Sequence, residues 1–171
     1  MTNLLFFCYP MKVILFVIGK TDEAYLNQGI SIFTSRIKRY VPFEIIEIPG
    51  VKNSGNKETQ KQKEGELILN HPEVISADYK ILLDEKGIQF TSVEFANFVQ
   101  KQLNRGFRKI IFIIGGPFGF SENLNNKLKE WGGIKLSLSK QTFSHQMVRL
   151  FFAEQLYRSF TILKGEKYHH S

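Results

Sequence analysis

A single cysteine, Cys8, in a chain of 171 residues leaves no partner for a disulfide. That excludes a small bridge-stapled scaffold and is compatible with a reducing, cytoplasmic setting. Long apolar runs are also missing. Leu4-Leu5-Phe6-Phe7 has no Lys or Arg before it and is too short for a signal-peptide core. Pro10 and Lys12 stop it from growing to the roughly 18 apolar residues that a membrane span needs. No G-x-x-x-x-G-K-[ST] occurs, so a phosphate-cradling P-loop is excluded. Gly115-Gly116-Pro117-Phe118-Gly119 is not the G-x-G-x-x-G of a dinucleotide site and follows a late strand rather than the first. His169-His170 lacks a spaced third ligand, so no metal site is expected. Cys8 has no catalytic partner, and Ser139 and Ser144 lie in no nucleophile elbow. With no triad, metal or paired carboxylates, the chemistry falls to a reactive cofactor that the protein positions.

What is present is a well-packed composition: 43% hydrophobic residues and 16 Phe, which argues against disorder and for one domain. Residues 1–10 read as a start-site artefact or loose extension, and 11–171 as the single domain. The net charge is +7. Over residues 135–171, six basic side chains (Lys135, Lys140, Arg149, Arg158, Lys164, Lys167) face two acidic ones, Glu154 and Glu166. Such clustering serves phosphate neutralisation or is simply a solvated basic face.

Strands and helices alternate. Val13–Ile18 is a continuous apolar run suited to a strand covered on both faces. Thr21–Arg39 carries Ile30, Phe33 and Ile37 at helical spacing, with Thr21 or Asp22 as cap. Phe43–Ile48 is a second strand ending at Pro49-Gly50. Lys52–Lys57 reads as a mobile loop before a helix that ends at Asn70. Lys80–Leu83 is a third strand, closing in turn chemistry at Asp84-Glu85-Lys86-Gly87. A helix from Ser92 to Gly106, a strand at Lys109–Ile114, a helix at Leu124–Trp131, a strand at Ile134–Leu138 and a helix at Ser144–Phe160 complete the chain. The pattern predicts an α/β fold, a mainly parallel sheet with helices on both faces.

Two strand-to-loop junctions stand out: Gly115–Gly119, and Leu138-Ser139-Lys140-Gln141-Thr142-Phe143 leading into Ser144-His145-Gln146. Small and glycine residues there let backbone wrap a compact, uncharged heterocycle; the plainer alternative for the first is a tight turn that needs glycine torsions. On the last helix His145, Arg149 and Phe152 share a face, and Met147, Val148, Leu150, Phe151 and Leu156 are expected to cover the buried sides. Glu154 and Arg158, four apart, read as a surface pair. His145 reads as a helix cap, whereas Arg149 interrupts an otherwise apolar stretch. A cofactor pocket beside a basic surface suggests an enzyme that modifies nucleic acid.

Lys12-Val13-Ile14-Leu15, Glu44-Ile45-Ile46-Glu47-Ile48-Pro49, Ile114-Gly115-Gly116-Pro117, Ser137 through Phe143, Ser144-His145-Gln146-Met147-Val148-Arg149, Glu154-Gln155-Leu156-Tyr157-Arg158 and Tyr168-His169 together resemble the bacterial large-subunit rRNA pseudouridine N3-methyltransferases of the SPOUT superfamily. The resemblance runs in register over residues 11–170. It implies a SPOUT-type C-terminal trefoil knot, which pattern reading alone would discard because knots are rare. It also implies a homodimer with the active site completed across the interface, and S-adenosylmethionine as cofactor. The cofactor would be held by Leu83, by Gly115 and Gly116, and by Leu138, Ser139, Lys140, Gln141, Thr142 and Phe143.

The substrate so implied is a pseudouridine of 23S rRNA in the assembled ribosome. Tyr168 and His169 are then candidates for contacting the base and taking its proton, and Arg149 for stabilising the developing anion. His170 stands where the family commonly ends in Arg or Lys, and Ser144 where Pro is frequent. Other readings are a SPOUT methyltransferase for another RNA, and a non-catalytic ribosome-binding protein that keeps the fold.

Overall fold

The computed structural model describes residues 11–51 and 55–168. The expectations for residues 1–10, for the start of the loop at 52–54, and for His169 and His170 lie outside the described residues. Eleven elements follow in chain order: β1 (Lys12–Ile18), α1 (Ala24–Ile37), β2 (Phe43–Ile48), α2 (Lys57–Leu69), α3 (Pro72–Ile75), β3 (Tyr79–Gln89), α4 (Ser92–Asn104), β4 (Lys109–Ile114), α5 (Glu122–Glu130), β5 (Ile134–Ser137) and α6 (Met147–Leu163). The strands form one sheet in the order β2-β1-β4-β3-β5, and every pairing is parallel.

A parallel sheet must be covered on both faces, and the alternation of β1 shows how this chain does it. Val13, Leu15 and Val17 join Ile37 of α1, Phe95 and Val99 of α4, and Phe152, Leu156 and Phe160 of α6. Ile14, Phe16 and Ile18 join Ile68 of α2, Val74 of α3, and Leu124 and Leu128 of α5. The predicted sheet with helices on both faces is therefore present. Local capping fixes several helix starts. The Asn56 side chain accepts from the Thr59 amide, Thr91 and Glu94 form a reciprocal capping box, and Ser121 accepts from the Leu124 amide.

Three local expectations give way to tertiary contacts. Neither Thr21 nor Asp22 caps α1, which starts after Glu23 without a side-chain cap; Thr21 and Asp22 are engaged by Arg149 and Gln146 from the far end of the chain. The third strand does not end at Leu83. It continues to Gln89 through an irregularity, because β5 offers a ladder to both halves: Leu136 pairs with Leu83 and again with Ile88. Asp84 does supply the turn chemistry, accepting from the Lys86 amide at 2.9 Å, but inside a bulge. Gly87 permits the close pairing, since a Cβ there would lie 2.6 Å from Leu136 backbone.

The last helix begins at Met147 rather than Ser144. It is wedged against α1 and α4, so its buried side is Arg149, Phe152, Ala153, Leu156, Ser159, Phe160 and Thr161. Phe151, expected inside, is exposed. Met147, Val148 and Leu150 are half-buried.

Candidate functional site

In open parallel sheets, ligands bind beyond the carboxyl ends of the strands. Here the bulge of β3 and the loops after β4 and β5 line one cleft of about 740 Å³, within the range of roughly 300–1,000 Å³ usual for small-molecule sites. The loop after β4 is a tight turn. The Gly119 amide donates to the Gly116 carbonyl at 3.1 Å, and Gly119 has φ +77°, a torsion that favours glycine. A Cβ on Gly115 would lie 3.1 Å from the Phe120 ring and 3.2 Å from the Gly119 carbonyl oxygen. Gly115 is thus closely packed as well as placed at a turn.

Gly116 backs onto Glu64 of α2: a Cβ there would sit 2.9 Å from the carboxyl carbon. Glu64 is only 2% exposed. Its Oε1 accepts from Gln60 at 2.9 Å, and its Oε2 has no hydrogen-bond partner among the described residues. Asn125, which lines the cleft, carries a second buried oxygen in the same condition.

The loop after β5 is held by its own hydroxyls. Ser137 donates to the Ser139 carbonyl at 2.7 Å, and Ser139 Oγ accepts from the Gln141 amide at 2.9 Å. Thr142 donates to Glu85 at 2.9 Å, tying this loop to the bulge of β3. Phe143 meets Phe151 of α6 with ring centroids 4.7 Å apart. Leu83, Gly115, Gly116, Leu138, Ser139, Gln141, Thr142 and Phe143 all line the cleft; Lys140 does not, and is exposed. Asp84, Asn125 and His145 also line it, and sequence reasoning gave them no part in the site. Asp84 carried a signal, as an acid at the carboxyl end of a strand.

Burial pushes the Asp84 carboxyl up, but the Lys135 ammonium at 2.9 Å and the Lys86 amide outweigh it and hold it below the ordinary carboxylate value. Burial, reinforced by the Arg149 charge, depresses the His145 imidazole. A neutral ring at neutral pH leaves the cleft without a competing positive charge at that wall.

Two predicted catalytic residues lie elsewhere. Arg149, 1% exposed, does not line the cleft. Its guanidinium donates to the Ile18 carbonyl at 2.7 Å, Thr21 Oγ1 at 2.8 Å and the His145 carbonyl at 3.1 Å, with Glu47 at 3.6 Å. These bonds tie the ends of β1 and β2 to the start of α6. Tyr168 packs along α6, edge-on to Tyr157 at 4.8 Å and 4.9 Å below the Arg158 guanidinium. Its hydroxyl donates to Glu154 at 3.3 Å. The expected Glu154–Arg158 pair is present at 2.6 Å and forms the seat for that tyrosine.

Among the described residues no group of three or more His, Cys, Asp or Glu could hold a metal ion, and no helix is long and apolar enough to cross a membrane.

Comparison with known proteins gives the same outline. The chain matches the family described as predicted SPOUT methyltransferase over residues 11–169. Ribosomal RNA large subunit methyltransferase H of Christiangramia forsetii is 51% identical over 162 residues, covering 94% of this chain and 99% of the relative. The protein of that name from Parabacteroides distasonis is 48% identical with the same coverage. The solved structure of a probable methylase family protein from Haemophilus influenzae shares the fold, with TM-score 0.52 at 12% identity, over 96% of this chain and 72% of that one. The chain belongs to the ribosomal RNA large subunit methyltransferase H family of SPOUT methyltransferases.

Proposed function

We propose that this protein transfers a methyl group from S-adenosylmethionine to N3 of a pseudouridine in 23S rRNA of the assembled ribosome, working in the cytoplasm as a homodimer. The observation that carries the reading is the cleft at the bulge of β3 and the ends of β4 and β5, whose walls suit an adenosine. Leu83, Leu136 and Leu138 provide apolar cover, Gly115 and Gly116 let the turn pack closely on Phe120 and Glu64, and loop backbone is available for the base edge. Asp84 and Glu85 also line the cleft, with Lys61, Lys86 and Lys135; Asp84 is paired with Lys135 at 2.9 Å, and Glu85 accepts from Thr142. When bound, the cofactor supplies an already activated methyl group. The chain's own task is to orient both partners, exclude water and manage the proton on N3.

The tail assignment supports a dimer. Tyr168 packs beside Arg158, about ten residues along α6 from Val148 at the cleft, which is about 15 Å of helix. In our reading the tail therefore serves the cleft of a partner protomer. Burial and the Glu154 carboxylate raise the Tyr168 pKa, so its phenol stays protonated, and its one O–H, given to Glu154 here, passes to the base when the tail engages substrate. Proton removal then falls to His169. Arg149, in this reading, positions the cofactor loop through the His145 carbonyl rather than touching the base.

We also propose the trefoil-knot threading. β5 lies at the sheet edge beyond β3, while α6 packs on α1 and α4. Residues 138–146 therefore run back from that edge past the strand ends to reach α6, and in our reading they thread the loop that forms the knot. Nucleoside mass spectrometry tests the activity, after incubating unmethylated ribosomes or naked 23S rRNA with S-adenosylmethionine. N3-methylpseudouridine on ribosomes alone is expected; no methylated nucleoside on either would overturn the proposal.

A further inference from the structure

Most aromatic side chains here serve one of the two cores, but Phe118 does not. It belongs to neither buried cluster, whereas its neighbour Phe120 packs against the second. Phe118 and Phe151 are the exposed phenylalanines among the described residues, and Phe151 has the Phe143 ring beside it. Phe118 is 39% exposed and has no aromatic partner among the described residues. It sits at the tip of the turn closed by the Gly119–Gly116 hydrogen bond, follows a proline whose φ is fixed, and lines the cleft. A rigid turn thus presents a flat apolar ring at the mouth of the proposed cofactor site. The Lys57 ammonium, from the first turn of α2, stands 5.5 Å from the ring centroid.

An exposed aromatic ring with a cation over one face, on a protein of net charge +7, matches the chemistry of single-stranded nucleic acid: a ring face on which a base stacks and a charge that neutralises a phosphate. We propose that Phe118 is the platform on which a base of the RNA substrate stacks, the target nucleotide or its immediate neighbour, with Lys57 engaging an adjacent phosphate. This rests on the function proposed above and names the residues that recognise its substrate.

The test uses full-length protein carrying Phe118→Leu, which keeps an apolar side chain but removes the ring face, with Phe118→Tyr as the conservative control. Co-sedimentation with ribosomes lacking the modification, without cofactor, reads RNA-side affinity. Calorimetry reads S-adenosylmethionine affinity, and sedimentation velocity the oligomeric state. Phe118→Leu is expected to weaken ribosome binding about tenfold, within what one base–aromatic stack supplies. Any loss of cofactor affinity should be smaller than the loss of ribosome binding, and Phe118→Tyr should restore ribosome binding. Lys57→Gln should lower the salt dependence of binding by about one unit of slope. Unchanged ribosome binding by Phe118→Leu overturns the inference, as does its loss through dissociation of a dimer, which would make the ring a contact between copies. Wild-type protein that methylates no ribosome overturns the underlying function instead.

Discussion

Gly115 and Gly116, where the chain leaves β4, differ in what they answer to. Gly115 faces the turn itself, while Gly116 faces a buried carboxylate on another helix. Gly116→Ala should therefore push the turn off Glu64 or force Glu64 to move. A shift of this kind costs about 1–3 kcal/mol and misplaces one wall of the cleft. Calorimetry should show S-adenosylmethionine affinity reduced at least tenfold, with a modest drop in Tm.

His145 supplies a pH test. Its pKa is lower in the folded chain than in the unfolded one, through burial first and then the Arg149 charge. Below the unfolded value of about 6.5 the unfolded chain binds the extra proton more readily. The stability present at neutral pH is therefore lost as pH falls through the unfolded value toward the folded one. Thermal melts between about pH 7.5 and pH 5 should show a shallower acid-side decline in His145→Gln than in wild type. Equal slopes would mean that other groups carry the acid response.

At the scale of elements, Arg149 joins β1, the start of α1 and the start of α6 in one cluster. Its donors reach Ile18, Thr21 and His145, and Gln146 beside it exchanges hydrogen bonds with Asp22. Arg149→Ala leaves the buried Ile18 carbonyl without its donor and opens a cavity. The expected loss is about 3 kcal/mol, read as a lower urea midpoint at unchanged slope. Because the clamp ends on the carbonyl of a cleft residue, cofactor affinity should fall as well. Arg149→Lys reaches fewer acceptors and should recover only part of the stability. If Arg149→Ala keeps full stability but abolishes methyl transfer, the residue acts on substrate directly and the positioning role is wrong.

At the scale of the whole molecule, the proposal that the tail serves a partner's cleft rests on the separation of Tyr168 from the cleft on its own chain. Mixing chains tests it. Tyr168→Ala keeps an intact cleft and Gly116→Ala an intact tail, and each alone should be nearly inactive. Co-refolded at equal amounts, half of the dimers are mixed and each mixed dimer regains one complete site, so activity should return to about a quarter of wild type. A tail acting on its own chain gives no recovery.

Much of this protein was already decided by local sequence. The β-branched runs at Val13–Ile18 and Lys109–Ile114 specified buried parallel strands, and Phe43–Ile48 was bounded where it ends. Glycines and hydroxyls marked the loops that line the cleft, and Glu154 and Arg158 met because four residues is one helical turn. These features are legible because periodicity, capping and turn torsions act over a few residues. What only the tertiary structure decided depends on partners far along the chain. Arg149 became a clamp through acceptors 128 and 131 residues away. β3 ran on past its turn because β5 lay alongside, and the buried side of α6 was chosen by the two helices that flank it. Glu64 came to lie behind the cleft wall only because α2 packs against the glycine turn. No local pattern encodes such pairings, since they are set by which surfaces the assembled sheet brings together and by the cost of leaving a buried polar group without a partner.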